Sequence, residues 1–254
     1  PELGGGTGSN TGLGVRGIVG GYNVTGNTIE FITVTTLGNS QDFGDLTNQR
    51  NASFQQVCNR TRMIFGGGYT PAGWSNIIDF ITVASLGNAT DFGDTTVKRQ
   101  QLSAVNDNTR GIFGGGQTAP NYQGTNVIDY VTIAQTGNAV DFGDMTNEKP
   151  SLASVCSSTR GVFAHGNQSP SPVAYADFVT MASTGNATNF GNLSANNRNQ
   201  LYAGGSSSTR GIFAGGYITN DIEFITIATT GNSQDFGDMT VARFSVRGLS
   251  SPTR

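Results

Sequence analysis

The chain repeats itself about every 48 residues, and a fixed period of that length decides an architecture before any local propensity does. Three phrases recur in order. The first is Arg16-Gly17-Ile18-Val19-Gly20-Gly21, followed by related copies that begin at Arg62, Arg110, Arg160 and Arg210; these arginines lie 46, 48, 50 and 50 residues apart, and Arg254 stands where a sixth copy would open. The second is Ile78-Asp79-Phe80-Ile81-Thr82-Val83 and its counterparts around Glu30, Asp129, Asp177 and Glu223. The third is Asp91-Phe92-Gly93-Asp94, repeated from Asp42, Asp141, Asn189 and Asp235.

The first two phrases are rich in β-branched and aromatic residues, with apolar side chains on both alternating faces, the pattern of a strand covered on both sides. From the acid of the second phrase to the start of the third is 12 residues in every copy, whereas from the arginine to that acid is 14, 17, 19, 17 and 13. Length variation is therefore confined to one connection, as expected when that connection projects from a single face of a rigid unit. Each unit reads as four short antiparallel strands. They are a polar one such as Leu201 to Ser208, the Arg-Gly-Ile-Phe strand, the Ile-Asp-Phe-Ile-Thr strand, and an edge strand at Asp-Phe-Gly-Asp. Four antiparallel strands per repeat make a propeller blade. No useful helical period and no linker separates the copies, so residues 1–254 are expected to form a single all-β domain of five blades, starting near residues 16, 62, 110, 160 and 210.

These phrases resemble the kelch repeat: an Arg-Gly-Ile-Phe-Gly-Gly strand, a variable loop, Asn126-Val127-Ile128-Asp129-Tyr130, then a turn and a polar stretch ending near an arginine. They are similar above all to kelch-like repeats in virion structural and tail-fibre proteins of tailed phages, marine and cyanobacterial ones especially, over about 240 residues from Arg16 onward. The resemblance implies a five-bladed kelch-like β-propeller in a virion or extracellular setting. Its implied partners are other virion proteins, further copies of itself, or a host-surface polysaccharide. The fourth copy departs from the pattern, with Ala164-His165 in place of two glycines and Asn189 and Asn192 in place of aspartates.

Composition narrows the chemistry. Charged residues make up 12% of the chain, about half the usual share. The 14 basic and 17 acidic residues form no run of either sign, so no nucleic-acid stripe or polybasic membrane patch is present. No apolar stretch reaches the length of a membrane span, and Pro1 to Gly6 lack the features of a signal peptide.

Asp-Phe-Gly-Asp shares letters with the kinase magnesium motif, but only Lys98 and Lys149 are available as lysines and no phosphate loop accompanies them. The aspartates suit turns and strand ends, and their spacing is not that of an EF-hand. His165 is the sole histidine, too few for a histidine-rich metal site. The chain is expected to be non-enzymatic, with no cofactor and no catalytic residues. Cys58 and Cys156 hold one repeat position in two non-adjacent units and are expected to be small buried residues.

Two constellations remain. A carboxylate amid apolar residues of a central strand needs a partner. The repeat arginines are the expected ones: Arg16 with Glu30, Arg62 with Asp79, Arg110 with Asp129, Arg160 with Asp177 and Arg210 with Glu223. The variable connections carry Tyr22, Tyr69, Trp74, Tyr122, Tyr175 and Tyr217 amid Asn, Gln and Ser. Flat apolar faces beside hydrogen-bonding groups suit neutral polar ligands such as sugars, and the same rings could instead cover blade edges. Asn-X-Ser/Thr sequences occur at Asn23, Asn88 and Asn186.

Overall fold

The computed structural model describes residues 16–20, 26–51, 55–166, 173–194, 203–216 and 219–242. The fold is a five-bladed all-β propeller. The first blade contributes β1 (Arg16–Gly20), β2 (Thr28–Thr33) and β3 (Gln41–Asp45). The second is built from β4 (Gln55–Cys58), β5 (Arg62–Gly66), β8 (Ile77–Thr82) and β9 (Thr90–Asp94), with a two-stranded ribbon, β6 (Tyr69–Thr70) and β7 (Gly73–Trp74), in its variable connection. The third has β10 (Ser103–Asn106), β11 (Arg110–Gly114), β14 (Val127–Thr132) and β15 (Val140–Asp144), with the ribbon β12 (Gln117–Thr118) and β13 (Gln123–Gly124). The fourth comprises β16 (Ala153–Cys156), β17 (Arg160–Gly166), β18 (Val173–Thr180) and β19 (Thr188–Asn192). The fifth comprises β20 (Ala203–Ser206), β21 (Arg210–Ala214), β22 (Asp221–Thr226) and β23 (Gln234–Asp238). Among the described residues no helix is long and apolar enough to cross a membrane.

Each blade is an antiparallel meander, and the core lies between blades rather than within them. Phe31, Phe43, Ile18 and Ile29 of the first blade pack against Met63, Phe65 and Ile81 of the second. The same pattern recurs at the next three junctions, with Phe113, Phe163 and Phe213 in the place of Phe65. A strand with apolar residues on both faces is thereby satisfied: one face meets the preceding blade and the other the following one.

The inner strands are polar in sequence yet buried, because they bond to one another around the axis. Asn106 Nδ2 donates to the Cys58 carbonyl at 2.7 Å, Ser154 Oγ to the Ala104 carbonyl at 2.7 Å, and Ser206 Oγ to the Cys156 carbonyl at 3.0 Å. Both cysteines are buried, in two blades that are not neighbours.

A second device ties the rim. The outer strand of each of the first four blades is extended by the turn of the next blade. Gly87 N–H donates to the Phe43 carbonyl at 2.8 Å and Ala89 N–H to that of Asp45 at 2.7 Å, while Asn88 Oδ1 accepts from Asp45 N–H at 3.1 Å. Gly137, Gly185 and Gly231 repeat the first bond to Phe92, Phe142 and Phe190 at 2.7–2.8 Å. The approach is backbone to backbone: a Cβ on Gly93 would stand 2.4 Å from the Gly137 carbonyl oxygen. This is why the Phe-Gly and Gly-Asn dipeptides recur together, and it commits the Asn88 and Asn186 side chains to inter-blade bonds.

Candidate functional site

The acids of the third strands are buried and paired, but not with the repeat arginines. In the antiparallel register Arg62 lies opposite Thr82 while Asp79 lies opposite Phe65, three residues along, which separates the two by roughly 10 Å at the rise of a strand. The same register holds for Arg110 with Asp129 and Arg160 with Asp177, and it places Arg16 and Arg210 away from Glu30 and Glu223. The expected pairs are therefore corrected. Asp79 binds Arg50, Asp129 binds Arg99 at 2.7 Å, and Asp177 binds Lys149 at 2.8 Å, all with fully buried side chains. Each cation comes from the segment that enters the blade from the one before, so each pair spans the point where one blade becomes the next.

The carboxylates have further donors. Thr47 Oγ donates to Asp79 at 2.5 Å, Thr146 Oγ to Asp177 at 2.8 Å, and the Ser194 N–H to Glu223 at 3.0 Å. Burial pulls the Arg50, Arg99 and Lys149 cations below their ordinary values against the opposing pull of their aspartates. Burial likewise pushes Asp79 upward, opposed by Arg50. The sequence carries a signal for this arrangement: a cation stands five residues after the last aspartate of Asp-Phe-Gly-Asp at Arg50, Arg99, Lys149 and Arg243.

The repeat arginines act between blades by another route. Arg16, Arg62, Arg110 and Arg160 donate to the carbonyls of Val83, Ile133, Met181 and Ile227 of the next blade, at 2.6–3.1 Å. Each guanidinium also lies over an aromatic ring of its own third strand, from 4.2 Å for Arg160 on Phe178 to 5.0 Å for Arg110 on Tyr130. Both sets of charges are therefore structural.

The variable connections form the other candidate. Tyr69 and Trp74 pair across the β6–β7 ribbon with ring centroids 5.6 Å apart, and Tyr122 of the neighbouring blade stands 5.1 Å from Trp74. Three of the aromatic residues picked out in the sequence thus meet. Tyr175 does not join them: it lies on β18, over the Lys149 ammonium at 5.1 Å, and serves the buried ion pair. Tyr22 and Tyr217 lie outside the described residues.

Beside the aromatic group is an open cleft of about 560 Å³ between the first and second blades. Trp74, the amides of Asn27, Asn48, Gln49 and Asn76, and Lys98 line it. Among the described residues no acid lines the cleft, and Lys98 is its only cation. Carboxamides offer donors and acceptors together. The Trp74 indole N–H is buried with no hydrogen-bond partner among the described residues, although a buried indole N–H ordinarily finds one. Tyr122, by contrast, is 57% exposed and has a positive φ of 57°, so its ring is held outward by a backbone conformation that side chains rarely adopt.

No group of three or more His, Cys, Asp or Glu side chains among the described residues could hold a metal ion. No family model matches the sequence, and a search of the curated proteins finds no match.

Proposed function

We propose that the protein is a non-enzymatic binding module that presents the variable connections of one propeller face to a neutral, polyhydroxylated ligand of the cell-surface glycan class. The observation that carries this reading is the Tyr69–Trp74–Tyr122 group beside an amide-lined cleft, where an indole N–H lacks a partner. A sugar ring presents an apolar face for stacking and a rim of hydroxyls for hydrogen bonds, and the cleft offers both kinds of contact. The resemblance of the repeat phrases to phage kelch-like proteins supports a virion setting, as a tail-fibre or decoration component.

A second reading, a purely structural assembly element, draws on the charges. All ten arginines and acids first picked out as a constellation are accounted for by packing between or within blades, or lie at the ends of the array.

The test is binding of the purified chain to a panel of bacterial surface polysaccharides, with Trp74→Ala and Tyr122→Ala beside the parent. Saturable binding weakened at least tenfold in Trp74→Ala, about 1.4 kcal/mol, and reduced in Tyr122→Ala supports the glycan reading. Failure of every sample to bind a correctly folded parent favours the assembly reading.

A further inference from the structure

The blade-to-blade interface is made four times, and each half of it is also present once without its counterpart. At the start of the array, Val19, Ile32 and Val34 are 64%, 44% and 43% exposed. Their equivalents in the second blade, Phe65, Ile81 and the partly buried Val83, pack against the first, and those in the later blades are buried. At the far end, Phe236 is 50% exposed, whereas Phe43, Phe92, Phe142 and Phe190 are buried under the following blade.

The polar parts are orphaned in the same way. Gly38-Asn39-Ser40 is the first blade's copy of the turn that elsewhere caps an outer strand, yet among the described residues neither the Gly38 nor the Ser40 N–H donates to an outer strand. Gly237, the fifth blade's copy of the glycine that such a turn covers, has nothing within 4 Å of its Cβ position. Glu30 is exposed, whereas Asp79, Asp129, Asp177 and Glu223 are buried. Arg210 lies over Phe224 at 4.4 Å, but its guanidinium reaches no carbonyl of a following blade among the described residues.

We propose that the outer face of the fifth blade binds the first blade of a second copy of this chain, head to tail, reproducing the interface already present four times within each molecule. The occupant follows from continuity. The exposed fifth-blade face offers the Phe236 and Asp238 carbonyls, an arginine over an aromatic ring and the exposed Phe236 side chain. The only described surface that supplies the Gly-Asn turn, the three apolar side chains and the free acid is that of the first blade. The contact is heterologous, so each copy keeps one open half and assembly proceeds to chains or rings. An uncovered outer strand such as β23 is the kind of edge that recruits another chain. The proposal does not depend on the ligand reading.

The experiment uses the 254-residue chain and the variants Val19→Arg and Phe236→Arg, followed by sedimentation over a wide concentration range. Both positions are exposed, so circular dichroism and thermal unfolding of the variants should match the parent. The parent should shift from its 26.5 kDa monomer to multiples of that mass as concentration rises. Each variant alone should lose that shift, with association weakened at least a hundredfold. An equimolar mixture should form dimers that grow no further, because each variant supplies the half that the other lacks. Glu30→Arg should weaken association. A parent that stays monomeric at all concentrations overturns the proposal. So does a monomer whose Gly38 and Ser40 amides are protected from hydrogen exchange, since the two ends then close on each other within one molecule. Association unchanged in both variants overturns it as well.

Discussion

Asp129 shows how one residue is made tolerable in a dry interior. It lies where the third strand slips register against the outer one, between Ile128 and Asp129, so that Phe142 is left over and drops into the junction. There the carboxylate meets Arg99, whose guanidinium also donates to the Val127 carbonyl at 2.7 Å and the Phe113 carbonyl at 3.3 Å. Removing one partner of a buried pair strands the other charge. Arg99→Leu should therefore lower the unfolding free energy by about 3–5 kcal/mol. Adding Asp129→Leu to it should recover most of the loss, because no charge is then left behind. Urea unfolding of the two variants beside the parent checks both statements.

At the scale of the element, the recurring Gly-Asn turn and Phe-Gly strand are two halves of one joint, and their glycines can be separated by experiment. Gly93 and Gly237 share positive φ values of 146° and 132°, but only Gly93 is overlain by another blade. Alanine at Gly237 should cost on the order of 1 kcal/mol, the strain of the backbone alone. Alanine at Gly93 should cost about 2–3 kcal/mol more, because its Cβ meets backbone that cannot swing aside. Equal losses in thermal unfolding would show that the close approach carries no weight.

The strands themselves were legible in the sequence: β5, β8 and β9 fall on the three repeated phrases, and the constant 12-residue interval is the third strand, its turn and the entry to the outer strand. The ion pairs are not legible from the repeat itself, because arginine and acid alternate regularly along the chain whereas contact depends on register. An antiparallel pair sets them three residues apart, and the true partners stand five residues beyond the last aspartate of the outer strand, as an arginine in two copies and a lysine in a third, with Asn197 at that place in the fourth. The aromatic trio was half legible. Composition marked Trp74 and Tyr122, but only the packing of one blade's ribbon beside the next brings them within 5.1 Å.

For the whole molecule, stability is a sum over blades and the joints between them, as in other repeat proteins. The middle blades have a joint on each side, while the first and fifth have one each. Native-state hydrogen exchange should accordingly show the highest protection in β10, β11 and β14 of the third blade. In β2 and β22 amides should exchange about tenfold faster or more, reflecting local opening from the ends inward. Uniform protection across all five blades would instead indicate a molecule whose ends are joined.

The cation that completes the second, third and fourth blades lies in the segment arriving from the blade before, so the natural seam of the molecule falls inside the structural unit rather than at its border. Genetic duplication or loss of any stretch of about 48 residues would carry one socket and one plug together. The number of units can thus change by recombination with the turn-and-strand joints kept intact, and the variable connections, which lie outside those joints, are left free to diversify copy by copy.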